Sequence, residues 1–212
     1  MYLVCTRKFP LVLGGSSDIS IHGNTDASLG TGPKGRSITG TSVQLNPDAG
    51  AVSCKASATK IVHTSIFESE LDGGVTVVKR AFRVQNVIDE LRIPFEKLLQ
   101  FYGDNQAMVD FVKGDNIAKG VRHMALRMWY LREQYRYGSM EWHHVSGDSI
   151  PVDHLTKPAS VERHQQFRRQ ILGLGLLSPY DMLLLELVLT VKKVVYLYTG
   201  MVYGYIGNNR CC

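Results

Sequence analysis

Apolar and polar residues alternate through Ile19-Ser20-Ile21-His22-Gly23 and on into Asn24-Thr25-Asp26, and this period of two predicts a half-buried strand. Ser37 to Leu45 and Ala51 to Ser57 read as two further short strands, parted by the turn-forming run Asn46-Pro47-Asp48-Ala49-Gly50. Three successive strands with short connections predict an antiparallel meander. The period then changes. Val77, Ala81, Val84, Ile88 and Leu91 recur at steps of four and three, one apolar stripe on a helix running from Ile66 to Leu91 and stopped by Pro94. Gly73-Gly74 falls in its first turns and is expected to weaken them by ~1 kcal/mol per glycine relative to alanine.

Leu98 to Tyr102 is a short apolar strand running into Gly103-Asp104-Asn105. A short helix follows, then a longer one from Ala118 to Tyr137 with Met124, Met128, Leu131 and Tyr135 on one face. Met140 to Val145 reads as a strand, and Val161 to Leu174 as a helix with Phe167, Ile171 and Leu174 inward. The order βββ-α-β-α-α-β-α predicts an α/β chain: a mixed sheet, its first three strands antiparallel, with helices packed on it. After Leu177 the stripes vanish into a Leu-, Val- and Tyr-rich run, and a boundary is expected near Ser178-Pro179. Glu186, Lys192 and Lys193 interrupt that run, so no membrane span is expected in it.

Composition narrows the partners. At 212 residues, 44% hydrophobic and 20% charged, the chain can bury one domain's core. With 24 Lys+Arg against 19 Asp+Glu its net charge is +5, which suits a polyanion. Cysteines 5, 54, 211 and 212 form no C-x-x-C pair, which argues against a disulfide scaffold or a cysteine-rich zinc site and fits a reducing compartment. The first residues lack the uninterrupted apolar core of a secretory signal.

Carboxylates carry the candidate chemistry. Asp26 closes the first strand, Asp104 follows the fourth, and Asp153 opens a helix after Pro151. The long helix offers Glu68 and Glu70 as a fourth. At 100° per residue Glu70 shares the sector of Val77, Ala81 and Ile88, towards the sheet, while Glu68 points almost opposite, towards water. The glycine pair lies between these residues and the stripe and could shift the phase, so both stay candidates. Gathered carboxylates raise one another's pKa unless a cation keeps them ionised. Oxygen-only ligands favour Mg²⁺ or Mn²⁺, and two such ions ~3.5–4 Å apart would polarise a phosphate and activate water. Taken singly, an Asp after a strand is usually a cap or turn residue.

The words around these acids resemble those of one family. Thr25-Asp26-Ala27-Ser28, Lys34-Gly35-Arg36-Ser37-Ile38-Thr39-Gly40, Ala51-Val52-Ser53-Cys54-Lys55, Glu68-Ser69-Glu70-Leu71, Tyr102-Gly103-Asp104-Asn105-Gln106-Ala107, Arg122-His123-Met124 and Val152-Asp153-His154-Leu155-Thr156-Lys157 occur in order. The set is similar to the ribonuclease H region of copia-type LTR retrotransposon Pol polyproteins, from about Tyr2 to Leu177. The resemblance implies the ribonuclease H-like fold and hydrolysis of the RNA strand of RNA–DNA hybrids during reverse transcription, with two Mg²⁺ ions, replaceable by Mn²⁺. It implies Asp26, Glu70, Asp104 and Asp153 as catalytic metal ligands. It also implies Ser28, Asn105, Gln106, Lys119, Arg122, His123 and Lys157 as contacts to nucleic acid. On this reading residues 1–177 form the ribonuclease H-like domain, with 1–15 left from the segment that follows the reverse transcriptase, and 178–212 form a hydrophobic tail. The reverse transcriptase region of the parent polyprotein becomes a partner, and a cytoplasmic retroelement particle or the nucleus the location. The chain then reads as a polyprotein fragment, or as a decayed copy that at most binds nucleic acid.

Lys119, Arg122, Arg127, Arg132 and Arg136, with Trp129 and Tyr130, make a basic and aromatic face between Lys113 and Tyr137. It suits the phosphates of an A-like hybrid, or is simply a solvated helix face with Trp129 in the core. His143 and His144 are neighbours on a strand, point to opposite faces and cannot both serve one site.

Overall fold

Five strands form one mixed sheet in the order β3-β2-β1-β4-β5. The computed structural model describes residues 11–13, 18–114 and 122–176. β1 (Ile19–Ser28) takes the centre. β2 (Ile38–Gln44) and β3 (Ala51–Ala58) follow antiparallel on one side, as the meander expected from the sequence. β4 (Phe95–Gly103) and β5 (Met140–His144) lie parallel on the other. β4 begins at Phe95, ahead of the apolar run from Leu98, because the pairing of Ile19 with Phe95 uses backbone groups and is indifferent to side-chain polarity.

α1 (Ile66–Glu90) starts at Ser65, whose hydroxyl accepts from the Glu68 amide at 3.2 Å. It lies over β1 and β2, burying Val77, Ala81 and Ile88 of the expected stripe against Ile21, Val43, Leu99 and Phe101. Leu91 is its C-cap and is exposed. The helix runs unbroken through Gly73-Gly74, and both glycines are buried. A Cβ on Gly73 would stand 2.6 Å from Thr25 Oγ1, and one on Gly74 3.3 Å from Met108 Sδ and the Trp142 ring. The pair that local propensity marks as a weakness is what lets α1 settle onto the sheet.

α2 (Gln106–Lys113) and α3 (Ala125–Arg136) connect β4 to β5. α3 begins later than the periodicity suggests. A 3-10 turn, Arg122–Met124, precedes it, and residues 118–121 lie outside the described ones. Met124, Met128 and Leu131 are buried as expected, but Trp129 is half exposed and Arg132 is the buried member of that face. Arg132 Nε donates to the Phe111 carbonyl at 2.9 Å and its guanidinium stacks 3.8 Å from the Phe111 ring centre, so the charge is satisfied where it is buried.

The chain then crosses to the sheet face opposite α1. Gly40, paired with Asp26, leaves its side-chain space to Val152 and Thr156, whose nearest atoms would lie 2.9 and 3.1 Å from a Cβ there. α4 (Val161–Leu172) meets β3 and ends at Gly173, in the left-handed region with φ +68°. Leu174, expected in this helix, lies in the following 3-10 turn and is still buried. Among the described residues no helix is long and apolar enough to cross a membrane.

Gly73→Ala therefore separates propensity from packing. Alanine adds ~1 kcal/mol of helix propensity but meets Thr25 in a closed interior, where overpacking costs about 1–3 kcal/mol. Urea denaturation should show a net loss of about 1 kcal/mol, whereas a raised midpoint would show that α1 has room to spare.

Candidate active site

β1 and β4 run parallel, with Asn24 beside Tyr102 as their last pair. Two residues further along each strand, Asp26 and Asp104 emerge at the same edge of the sheet, the carboxyl end of its parallel strands. Glu70 arrives from α1, on the other face, and its Oε1 accepts from the Ala27 amide at 3.1 Å. One carboxylate oxygen each from Asp26, Glu70 and Asp104 lie within 4.8 Å of one another.

Glu70 thus faces the sheet as its helical phase predicts, but Glu68 does not face water. It is 3% exposed. Its carboxylate bends back over the start of α1, accepting from the Thr64 amide at 2.7 Å and from Thr64 Oγ1 at 3.0 Å, with His123 Nε2 at 3.3 Å. The physical reason is the helix start: Ser65 Oγ accepts from the otherwise unpartnered Glu68 amide, and the Glu68 side chain folds back over this cap onto Thr64, the residue before it. The Ser65-x-x-Glu68 spacing was readable in the sequence, whereas helical phase alone put Glu68 on the wrong side.

Asp153 opens a 3-10 turn, Asp153–Leu155, where the sequence suggested a helix. Its carboxylate stands outside the threefold cluster and holds Lys157 Nζ at 2.7 Å and Arg163 Nη2 at 3.4 Å. Lys157 Nζ also reaches Asp26 Oδ1 at 3.2 Å. Thr156 Oγ1 donates to the other Asp26 oxygen. Nothing in the sequence pattern marked Thr156 as a partner of Asp26, apart from its place beside Lys157.

The cluster is strained electrostatically. Burial, then the neighbouring charges of Asp26 and Asp104, push the Glu70 carboxyl up to about 9 against the Ala27 hydrogen bond and Lys157. Burial likewise raises Asp26, opposed by Thr156 and Lys157 and aided by Asp104. Glu68 shows the contrary balance: burial would raise it, but the Thr64 hydrogen bonds and then His123 and His63 hold it below the ordinary value. Glu70 Oε2 is buried and has no hydrogen-bond partner. An orphaned carboxylate oxygen among hard oxygen donors fits a divalent cation.

Of the residues expected at nucleic acid, several have partners of their own within the protein. Ser28 ends β1. Asn105 caps α2, its Oδ1 accepting from the Met108 amide at 3.0 Å, and exposed Gln106 donates to Asp110. His123 is half exposed beside Glu68. Lys119 and the Arg122 side chain lie outside the described residues. His143 Nε2 is 2.7 Å from Gln100 Oε1 and its ring stacks on Tyr102, while His144 Nε2 is 3.1 Å from the Asp104 carbonyl.

No family model matches the chain. Over 156 residues, 74% of its length, it is 27% identical to the retrovirus-related Pol polyprotein of transposon TNT 1-94 from Nicotiana tabacum. The chain spans about 12% of the length of that curated relative. Among solved structures, the N-terminal RNase H domain of a Mycobacterium tuberculosis protein, determined as a fusion with maltose-binding protein, superposes with a TM-score of 0.50 at 12% identity, covering 70% of this chain and 98% of that one. RNase H1 from Halobacterium salinarum gives 0.47 at 17% identity, covering 65% and 93%. The mixed sheet and its helices are those of the ribonuclease H fold.

The raised Glu70 pKa fixes the sign of a pH effect. The folded protein holds this proton more tightly than the unfolded chain, so its contribution is complete below 4.5 and is lost as pH rises towards about 9. Kept in chelator, the protein should lose stability steadily across that window in urea melts. Glu70→Gln, neutral at every pH, should flatten the slope; an unchanged slope would put the titrating group elsewhere.

Proposed function

We propose that this chain carries the ribonuclease H activity of a copia-type retrotransposon polyprotein, the endonucleolytic hydrolysis of the RNA strand in RNA–DNA hybrids. One observation carries the reading: the buried carboxylates of Asp26 on β1 and Glu70 on α1 converge with that of Asp104, just past β4, leaving Glu70 Oε2 unpartnered. The similarity to a transposon Pol polyprotein supports it.

Asp26, Glu70 and Asp104, with Asp153 beside them, would hold two Mg²⁺ ions, or Mn²⁺ in their place. Such ions supply Lewis acidity towards a scissile phosphate and a water nucleophile at neutral pH. The chain's own residues do the rest. Asn105 caps α2 immediately after Asp104 and so fixes the end of β4. Thr156 holds the Asp26 carboxylate in one orientation. Ser28, Gln106 and His123 would contact a hybrid, read through its backbone and 2′-hydroxyls, and the resemblance adds Lys119 and Arg122 to them. Residues 1–177 make up the catalytic domain, 178–212 lie outside it, and the reverse transcriptase region of the parent polyprotein is its working partner.

The test is cleavage of a labelled RNA–DNA hybrid. Wild-type protein should cut the RNA strand with Mg²⁺ and stop when the ion is chelated. Asp104→Asn preserves shape but removes an anionic ligand, and should cost roughly 10²–10³-fold or more in rate, the scale of losing one preorganised electrostatic partner, with a near-native melting curve. Wild-type activity in that variant would remove Asp104 from the site, and a wild-type protein that binds hybrid without cutting it would be a catalytically inactive relic.

The two glutamates of α1 should part company. Glu68→Ala loses the hydrogen bonds to Thr64 at the start of α1, about 1 kcal/mol of stability, and keeps most cleavage, while Glu70→Ala loses cleavage. Equal loss of cleavage in both would mean that Glu68 belongs to the reacting centre.

A further inference from the structure

Asp26 and Asp153 face one another across a single ammonium. Lys157 Nζ lies 3.2 Å from Asp26 Oδ1 and 2.7 Å from Asp153 Oδ1. The two acidic side chains are 1% and 10% exposed, yet the lysine keeps 43% of its own side chain in solvent. Its head therefore reaches inward from the rim of the cleft, and it can withdraw by rotating about its own stem without unpacking the core. Asp153 stands apart from the oxygens of Asp26, Glu70 and Asp104 that come within 4.8 Å of one another. What joins its carboxylate to them is this lysine.

We propose that Lys157 is a built-in counter-cation that fills the gap between Asp26 and Asp153, so that a second divalent ion enters there only by expelling the ammonium. The proposal rests on the reading of the acidic cluster as a metal site. An ion held by Asp26, Glu70 and Asp104 can load with Lys157 in place, because of these three the ammonium bonds Asp26 alone, at Oδ1, and leaves the Glu70 and Asp104 oxygens to the ion. An ion between Asp26 and Asp153 competes with it for the same oxygens and meets its charge at contact distance. Arg163 Nη2, 3.4 Å from the other Asp153 oxygen, is also salt-bridged to Asp148. It keeps Asp153 in position once Lys157 has left. The two loci are thus unequal by construction, and Lys157 is a positioning residue that sets the affinity of the second.

Mn²⁺ titration of the full chain, by calorimetry and by electron paramagnetic resonance of the free ion, tests this without reference to turnover. Wild type should bind one ion more tightly than the other. In Lys157→Met the weaker affinity should rise roughly tenfold, the effect of about 1.4 kcal/mol, while the tighter changes little. Lys157→Arg, which keeps a cation in the gap, should restore the inequality. A second measurement needs no variant: acylation of Lys157 by an amine-reactive ester, read by mass spectrometry, should increase over the Mn²⁺ range that fills the weaker locus. Unchanged or weaker second-ion binding in Lys157→Met, or acylation that stays flat to saturation, would overturn the proposal and leave the metal site standing. Absence of any Mn²⁺ binding to wild type would overturn the metal site itself, and this proposal with it.

Discussion

Like charges crowded into a low-dielectric place set the terms for this fold. Asp26 and Glu70 are almost wholly buried and share a corner with Asp104, a combination unfavourable for three anions without a compensating cation. The chain answers with its own materials: a Glu70 carboxyl pushed up to about 9, a hydroxyl from Thr156 and an ammonium from Lys157 on Asp26. Each answer constrains the backbone. Gly40 lets the 152–156 segment descend onto β2, bringing Thr156 and Lys157 to Asp26. The local geometry of four separate segments is therefore subordinate to one electrostatic problem, the one that a bound cation could relieve.

The architecture determines which acids meet it. Parallel pairing of β1 with β4 puts the residues that follow Asn24 and Tyr102 at one edge, so Asp26 and Asp104 meet by register. Glu70 joins because α1 sits close enough to the sheet to hydrogen-bond Ala27, an approach that Gly73 permits by having no side chain to set against Thr25. Glu68 and Glu70 are both buried, two residues apart, and differ in every partner. One serves the end of its own helix, the other the end of a neighbouring strand. Burial alone says little about what a carboxylate is for; its hydrogen-bond partners distinguish the two.

Much of this was legible before any coordinates, and the exceptions share a cause. Periodicity captured β1, β2, β3 and the stripe of α1 because those segments bury one face against one neighbour. The four acids stood out because their surrounding words kept a known order, and Glu70 was preferred on helical phase. The failures came where a second interaction overrode the pattern. Glu68 was expected in water, but the Thr64 amide and hydroxyl just before its helix drew it in. Arg132 belongs by pattern to a basic face turned to phosphates or to solvent, but the Phe111 carbonyl and ring satisfy it in the interior, while Trp129 turns outward. Gly73-Gly74 scored as a defect because propensity describes an isolated helix, and this helix lies against a sheet. The resemblance assigns Lys157 to nucleic acid, and the structure adds two carboxylate partners to it: Asp153, four residues away, and Asp26, across 131 residues of sequence where no local rule reaches.

The central placement of β1 bears on the route by which the chain folds. Its pairing with β2 closes through a short connection, and β3 adds to β2 in the same way. Its pairing with β4 must bring together residues such as His22 and Tyr102, which are 80 positions apart. Closing so long a loop is entropically dearer and slower than forming a local hairpin. The three-stranded meander is thus the natural early structure, and Asp26 in it is solvated and free of acidic neighbours. Only when β4 docks does Asp104 arrive beside it, so repulsion between them is felt at the late, long-range step and not in the nucleus. Divalent cations in the medium would then act chiefly by slowing unfolding, leaving the rate of the first collapse almost untouched.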